Sequence, residues 1–212
     1  MRRKLILMSG AVIAFGLASI SCKNNEPDDK SDSGIITKIE GTVANGGSYD
    51  VDTVKVMHNS EEATIVLASS KWDNGKFTLN LPATLPDSYV SSLENEEGVT
   101  ISDKAAKTYL LSVLQLYKNG KYKGTVSQAA KAGASTAKIQ YFYTDRDVVL
   151  SGTTIGGSEK ITYNANFKKG WNTVYYILED TNTDGKVDKA SYATQKPKDM
   201  TFEWTVSISS QN

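Results

Sequence analysis

Three features of this 212-residue chain hold residue types able to do chemistry: a lone histidine, a lone cysteine and an acidic loop. A Ser-His-Asp relay or a histidine-based metal site has to be built on His58 or not at all, because the chain has no other histidine. His58 falls on a predicted strand at the mouth of a turn, where a histidine is ordinarily exposed or hydrogen-bonded, so no catalytic role is expected of it. The loop is Asp180-Thr181-Asn182-Thr183-Asp184-Gly185-Lys186-Val187-Asp188. Counted from Asp180, side-chain oxygens of Asp180, Asn182, Asp184 and Asp188 fall at loop positions 1, 3, 5 and 9, and Lys186 offers its carbonyl at position 7. Gly185 stands at position 6, where a calcium loop must turn sharply, and Ca2+ needs this many hard oxygen donors. Position 12 is Ser191, so the bidentate carboxylate is missing, and Val174 to Leu178 before the loop reads as a strand. The same residues are good hairpin-tip chemistry, and that plainer reading is preferred. Asp145-Arg146-Asp147 reads as a turn with a local ion pair, which is worth little. Acidic residues are numerous, yet none sits in a hydrolase signature, and there is no P-loop or dinucleotide fingerprint. No enzyme is expected, and no cofactor beyond the calcium alternative.

Cys22 is the third feature. Arg2, Arg3 and Lys4 form a basic start, Leu5 to Gly16 an apolar run, and Leu17 to Ser21 a short stretch rich in small residues that leads into the cysteine. This is the layout of a cleaved secretory signal, and the apolar run is too short and wrongly flanked to span a membrane. The arrangement resembles a bacterial lipobox, although Ser19 stands where Leu, Val or Ile is usual. The resemblance implies that residues 1–21 are removed and that Cys22 is acylated, which makes the membrane a partner through lipid. Ordinary secretion, with cleavage after Ser19-x-Ser21, is the alternative. Residues 22–34 read as a polar tether, and Glu26, Asp28, Asp29 and Asp32 resemble the acidic export patch of Bacteroides-type surface lipoproteins. The expected location is the outer membrane of the cell envelope, on its exposed face.

The elements that must position these residues are strands. Removal of residues 1–21 leaves about 190 residues, enough for one domain or two small ones. That removal takes three of the 24 basic residues and none of the 24 acidic ones, so the remainder carries 21 against 24, a net charge of −3. A nucleic-acid partner, which needs a clustered basic surface, is not expected. A single cysteine forms no intrachain disulfide, so a hydrophobic core must hold the fold. The eleven tyrosines shift the expectation toward β structure. Strands are predicted over 35–43, 51–58, 63–68, 77–81, 109–117, 122–126, 138–143, 147–150, 160–167 and 171–178. Phe202, Trp204, Val206 and Ile208 alternate as a closing strand with one buried face, so Trp204 is expected in the core. Asp73-Asn74-Gly75 and Asn119-Gly120 predict tight hairpins. Asp87 to Leu93 is the best helical candidate, with a second short turn at Ser102 to Ala106. The expectation is an all-β antiparallel sandwich of one or two lobes: a first part at 35–82, a connector with a short helix at 83–107, and a second part at 108–212.

Two further likenesses bear on the fold. Gly41-Thr42-Val43, Asp52 to Val56 and Asn74-Gly75-Lys76-Phe77-Thr78-Leu79 resemble the start of carboxypeptidase-regulatory-like or transthyretin-like sandwiches, a likeness that implies no catalytic residues. Tyr141 to Val148 and Phe167 to Tyr176 look similar to uncharacterised Bacteroides-type lipoproteins, which implies a location and a fold. The acidic loop is similar to the first nine positions of an EF-hand or dockerin-type loop. The expected role is binding or structure at the surface, with a glycan or envelope proteins as partners. Trp72, Tyr122, Tyr163, Trp171, Tyr175 and Tyr176 are the rings able to stack on sugars, and an outward ladder on one sheet face is what that role requires. An adhesin or assembly subunit with an open edge strand is a rival. A carboxylate-based hydrolase is a weaker one.

Overall fold

A computed structural model describes residues 35–59, 64–156 and 159–209. The signal, Cys22 and the tether lie outside the described residues. Sixteen strands follow one another: β1 (Ile35–Ile36), β2 (Lys38–Thr42), β3 (Thr53–Asn59), β4 (Thr64–Lys71), β5 (Lys76–Asn80), β6 (Ser91–Ser92), β7 (Val99–Ile101) and β8 (Lys107–Leu111) form the first half. The second half is β9 (Leu114–Lys118), β10 (Lys121–Ala132), β11 (Ser135–Thr144), β12 (Val148–Gly156), β13 (Glu159–Phe167), β14 (Gly170–Glu179), β15 (Lys189–Ala193) and β16 (Glu203–Ile208). The all-β expectation holds. No α-helix occurs among the described residues: the predicted helix at Asp87 is one 3-10 turn, Asp87–Tyr89, that gives way to β6. The second helical candidate, Ser102 to Ala106, is likewise a turn. Val90 and Leu93 are spaced to reach opposite sides of the structure, so the segment is held extended by its two apolar contacts.

Fourteen strands form one branched sheet whose main path runs β4-β3-β9-β10-β11-β14-β15-β13-β12-β7, and β2 pairs with β5 in a second, two-stranded sheet. The Asn74-Gly75 turn forms as expected, with φ of 51° and 94°, the positive pair that a tight two-residue turn demands. It does not make a long hairpin. β4 pairs with β3 in the large sheet and β5 with β2 in the small one, so this turn carries the chain from one sheet to the other. The run 109–117, predicted as one strand, breaks at Ser112–Val113 into β8 and β9, which join different partners, β11 and β10. All pairings are antiparallel except β13 with β15.

Two cores result. The first fills the space between the small sheet and the β4-β3-β9-β10 part of the large one, with Leu79, Val54, Val56, Leu114, Leu116 and Val126 at its centre. The second lies where the sheet rolls back on itself: Phe142 of β11 stacks on Phe167 of β13 at 4.1 Å, although β14 and β15 separate their strands. The cores share walls. Along β11, Tyr141 and Tyr143 point into the first core and Phe142 into the second, and in β8 Tyr109 and Leu111 oppose Leu110. A strand buried on both faces loses the polar-apolar alternation, which explains the continuous run Tyr141-Phe142-Tyr143. The first core draws on residues from Ile39 to Trp171, so the division between cores does not follow the connector at 83–107.

Candidate binding face

The clearest two-faced region is the sheet β4-β3-β9-β10, continued by β16, which pairs with Gly124–Ala129. Its inner face is shut: Val54, Val56, Leu116 and Val126 are fully buried. Strand alternation puts Thr53, Lys55, Gln115, Tyr117, Tyr122 and Thr125 on the other face. Tyr122 is 38% exposed. Tyr117 and Tyr122 are direct cross-strand partners on either side of the Asn119-Gly120 turn, and their rings meet edge to face at 6.0 Å and 77°. An edge-to-face pair leaves ring faces unstacked. Lys55 Nζ sits 4.3 Å from the Tyr117 ring centroid, and the Tyr117 hydroxyl donates to Gln115 Oε1 at 2.7 Å. Burial, then the neighbouring Tyr122, raise the Tyr117 phenol pKa. The hairpin tip is pinned by Asp52, whose Oδ2 accepts the Asn119 N–H at 2.8 Å, and this bond leads in lowering the Asp52 pKa.

A second set of rings behaves in the opposite way. Tyr163 of β13, Tyr192 of β15 and Tyr176 of β14 stand in register on three adjacent strands. Tyr163 and Tyr192 stack at 5.4 Å and 9°, and Tyr192 and Tyr176 at 4.6 Å and 22°. Their faces are used on one another. The ladder closes the second core, and the acidic connector lies along it, with the Tyr163 hydroxyl donating to Glu96 Oε2 at 3.3 Å. Opposite Tyr163 is Gly152, at φ 118°, where an added Cβ would stand 2.2 Å from the Gly98 carbonyl oxygen. Burial raises the pKa of Tyr163, Tyr176 and Tyr192, and the Glu96 carboxylate adds to the effect on Tyr163.

The other predicted rings divide. Trp72 and Trp171 are buried in the first core, their indole N–H groups donating to the carbonyls of Gly46 at 3.0 Å and Pro82 at 2.9 Å. Tyr175 points away from Tyr176 and lies 5.4 Å from Phe202. Trp204 is half-buried rather than central, edge-on to Phe77 at 5.0 Å on the rim of the first core. An outward ladder built from the predicted rings is therefore not what forms. Tyr117 and Lys55, absent from the sequence list, complete the open face. Counting outward from Asn119-Gly120 pairs Tyr117 with Tyr122, and that signal was available in the sequence.

His58 stacks on Tyr89 at 4.5 Å and lies 5.5 Å from Tyr109, and burial against these rings lowers its pKa. In the Asp180–Asp188 loop the side-chain oxygens are turned onto the loop's own backbone. Asp180 accepts the N–H groups of Asp184 and Gly185, and Asn182 Oδ1 that of Asp184. Asp184 accepts the Lys186 N–H, and Asp188 Oδ2 those of Thr181 and Asn182. The hydroxyl and N–H of Thr181 lead in lowering the Asp188 pKa. Ser191, at position 12, lies inside β15, paired with Thr162 and Ile177. Among the described residues no group of three or more His, Cys, Asp or Glu is placed to hold a metal ion. Asp145 pairs with Arg146 at 3.0 Å and accepts the Lys107 N–H at 2.8 Å, while Asp147 pairs with Lys168 at 3.0 Å, so the charged knot ties three turns together. Comparison with protein-family models, with curated proteins and with solved structures finds no match to this chain.

Proposed function

We propose that the protein is a non-enzymatic, lipid-anchored binding protein of the cell envelope, displayed on the outer membrane by an acyl group on Cys22. The observation that carries this reading is the place of the chain's only cysteine, directly behind a basic start, an apolar run and a stretch rich in small residues. The twelve residues 23–34 then separate the anchor from β1. Fully extended, they reach about 40 Å. The β body presents Tyr117 and Tyr122 on an open face that a partner can reach.

The test is metabolic labelling of cells with an alkynyl fatty acid, followed by protease shaving of intact cells, with Cys22→Ala as control. The expected outcome is a labelled, membrane-bound chain that intact cells lose on shaving, with label and membrane retention both absent from the variant. A chain that takes no label and leaves the membrane freely would overturn the anchor. Protection until the outer membrane is broken would overturn surface display.

A further inference from the structure

We infer that the open face of β4-β3-β9-β10-β16 is a binding site for an acidic polysaccharide, held by Tyr117 and Tyr122 against its sugar rings and by lysines against its carboxylates. The inference rests on the binding role proposed above and specifies its ligand. The first observation is charge. These five strands contain Lys55, Lys71, Lys118, Lys121, Lys123 and Lys131 but one carboxylate, Glu203; strand parity puts Lys55, Lys71 and Lys131, with Glu203, on the tyrosines' face, and Lys118 and Lys121 on the opposite one. The mature chain as a whole is acidic, so this sheet concentrates cations against the background of the molecule. Ion pairs among the described residues engage Lys118, with Asp50 at 3.2 Å, and none of the other five.

The second observation is the kind of surface. Lys55 and Lys71 lie on the same face as the two tyrosines, because Thr53 pairs with Tyr117 on one side and with Lys71 on the other. Around them the face carries hydroxyls and amides, from Thr53, Ser69, Gln115, Thr125 and Ser207, which suit the hydroxyls of a sugar chain. Five strands at about 4.8 Å spacing extend roughly 19 Å, a flat track that fits an extended polymer better than a small molecule, which needs a concave site. Two shallow depressions of the described surface lie beside Phe77 and beside Trp72, on the side of the sheet away from the tyrosines. Stacking alone favours any pyranose; the lysines select the anionic ones, and the attraction weakens as salt screens it.

The experiment is calorimetric titration of the detergent-solubilised full chain with polygalacturonate, with neutral dextran as control. Binding to polygalacturonate at low salt is expected, at least tenfold weaker in Tyr122→Ala and in Lys55→Ser and weaker again in added salt, with dextran unbound. Both variants change exposed or half-exposed positions, and circular dichroism confirms that they remain folded. Lys131→Ser, at the far end of β10, is expected to matter less than Lys55→Ser. Equal binding of dextran would overturn the anionic class. Binding unmoved by Tyr122→Ala and Lys55→Ser would overturn the site. No binding to polygalacturonate, alginate or chondroitin sulfate would overturn the ligand while leaving the lipid-anchor result intact, since labelling and shaving do not depend on it.

Discussion

The Tyr163–Tyr192–Tyr176 ladder and the Tyr117–Tyr122 pair are both cross-strand tyrosine sets on half-covered sheet faces, yet they do opposite things. In the ladder each ring face rests on the next, at 4.6 and 5.4 Å, and the connector lies along its end through Glu96. In the pair the rings meet edge to face, and a lysine rather than a third ring stands over Tyr117. The lesson is that tyrosine content says nothing about use until register and neighbours are known. Three rings in register on adjacent strands make a lid; two rings beside a tight turn, with a lysine over one of them, leave an open face.

Substitutions sharpen this contrast, and the largest effect belongs to the lid. Gly152→Ala forces a Cβ into the Gly98 carbonyl at a backbone angle that side chains rarely adopt. It should cost about 2–4 kcal/mol in urea unfolding. Tyr192→Ala removes the middle ring and should cost about 2–3 kcal/mol, whereas Tyr122→Ala should stay within about 0.5 kcal/mol. Equal costs for the two tyrosines would break the comparison.

Alkaline pH provides a second separation. The folded pKa values of Tyr163, Tyr176 and Tyr192 are raised by burial, and that of Tyr109 is pushed up to about 12. A raised folded pKa means stability fully present below the ordinary phenol value of 10 and lost as pH rises through the folded values. Tyr192→Phe should therefore move the alkaline unfolding midpoint upward, followed by phenolate absorbance, while changing neutral stability little. An unmoved midpoint would show that the ladder is not what limits tolerance of base.

At the acidic loop the expected effect is smaller. Asp188 holds its turn through Thr181 and Asn182, so Asp188→Ala should lower the melting temperature slightly and by the same amount with calcium or with a chelator. A calcium-dependent rise in melting temperature, lost in Asp180→Ala, would instead support the calcium reading.

The open face was half legible in the chain. Asn119-Gly120 named the turn, and Tyr122 was a candidate ring, but Lys55 joins them from a strand more than sixty residues away in sequence. The all-β class and the Asn74-Gly75 turn were readable because alternation and positive-φ residues are local signals. That this turn links two sheets was not readable, since its flanks look the same whichever strand they pair with. The helix expected after Pro86 failed because contacts on both sides of Val90 and Leu93 outweigh a weak local preference. β15 escaped notice because a five-residue strand with one buried side chain, Ala190, carries almost no periodic signal; the Asp180–Asp188 loop is the turn that joins it antiparallel to β14, as the hairpin-tip reading of that loop expected.

Limited tyrosine nitration of the native full chain, mapped by mass spectrometry, tests the contrast most directly. Early modification of Tyr122, slowed when polygalacturonate is present, is expected, with no modification of Tyr163 or Tyr192 until the chain unfolds. Labelling of Tyr163 and Tyr192 at the rate of Tyr122, or a Tyr122 that is protected in the free protein, would contradict it.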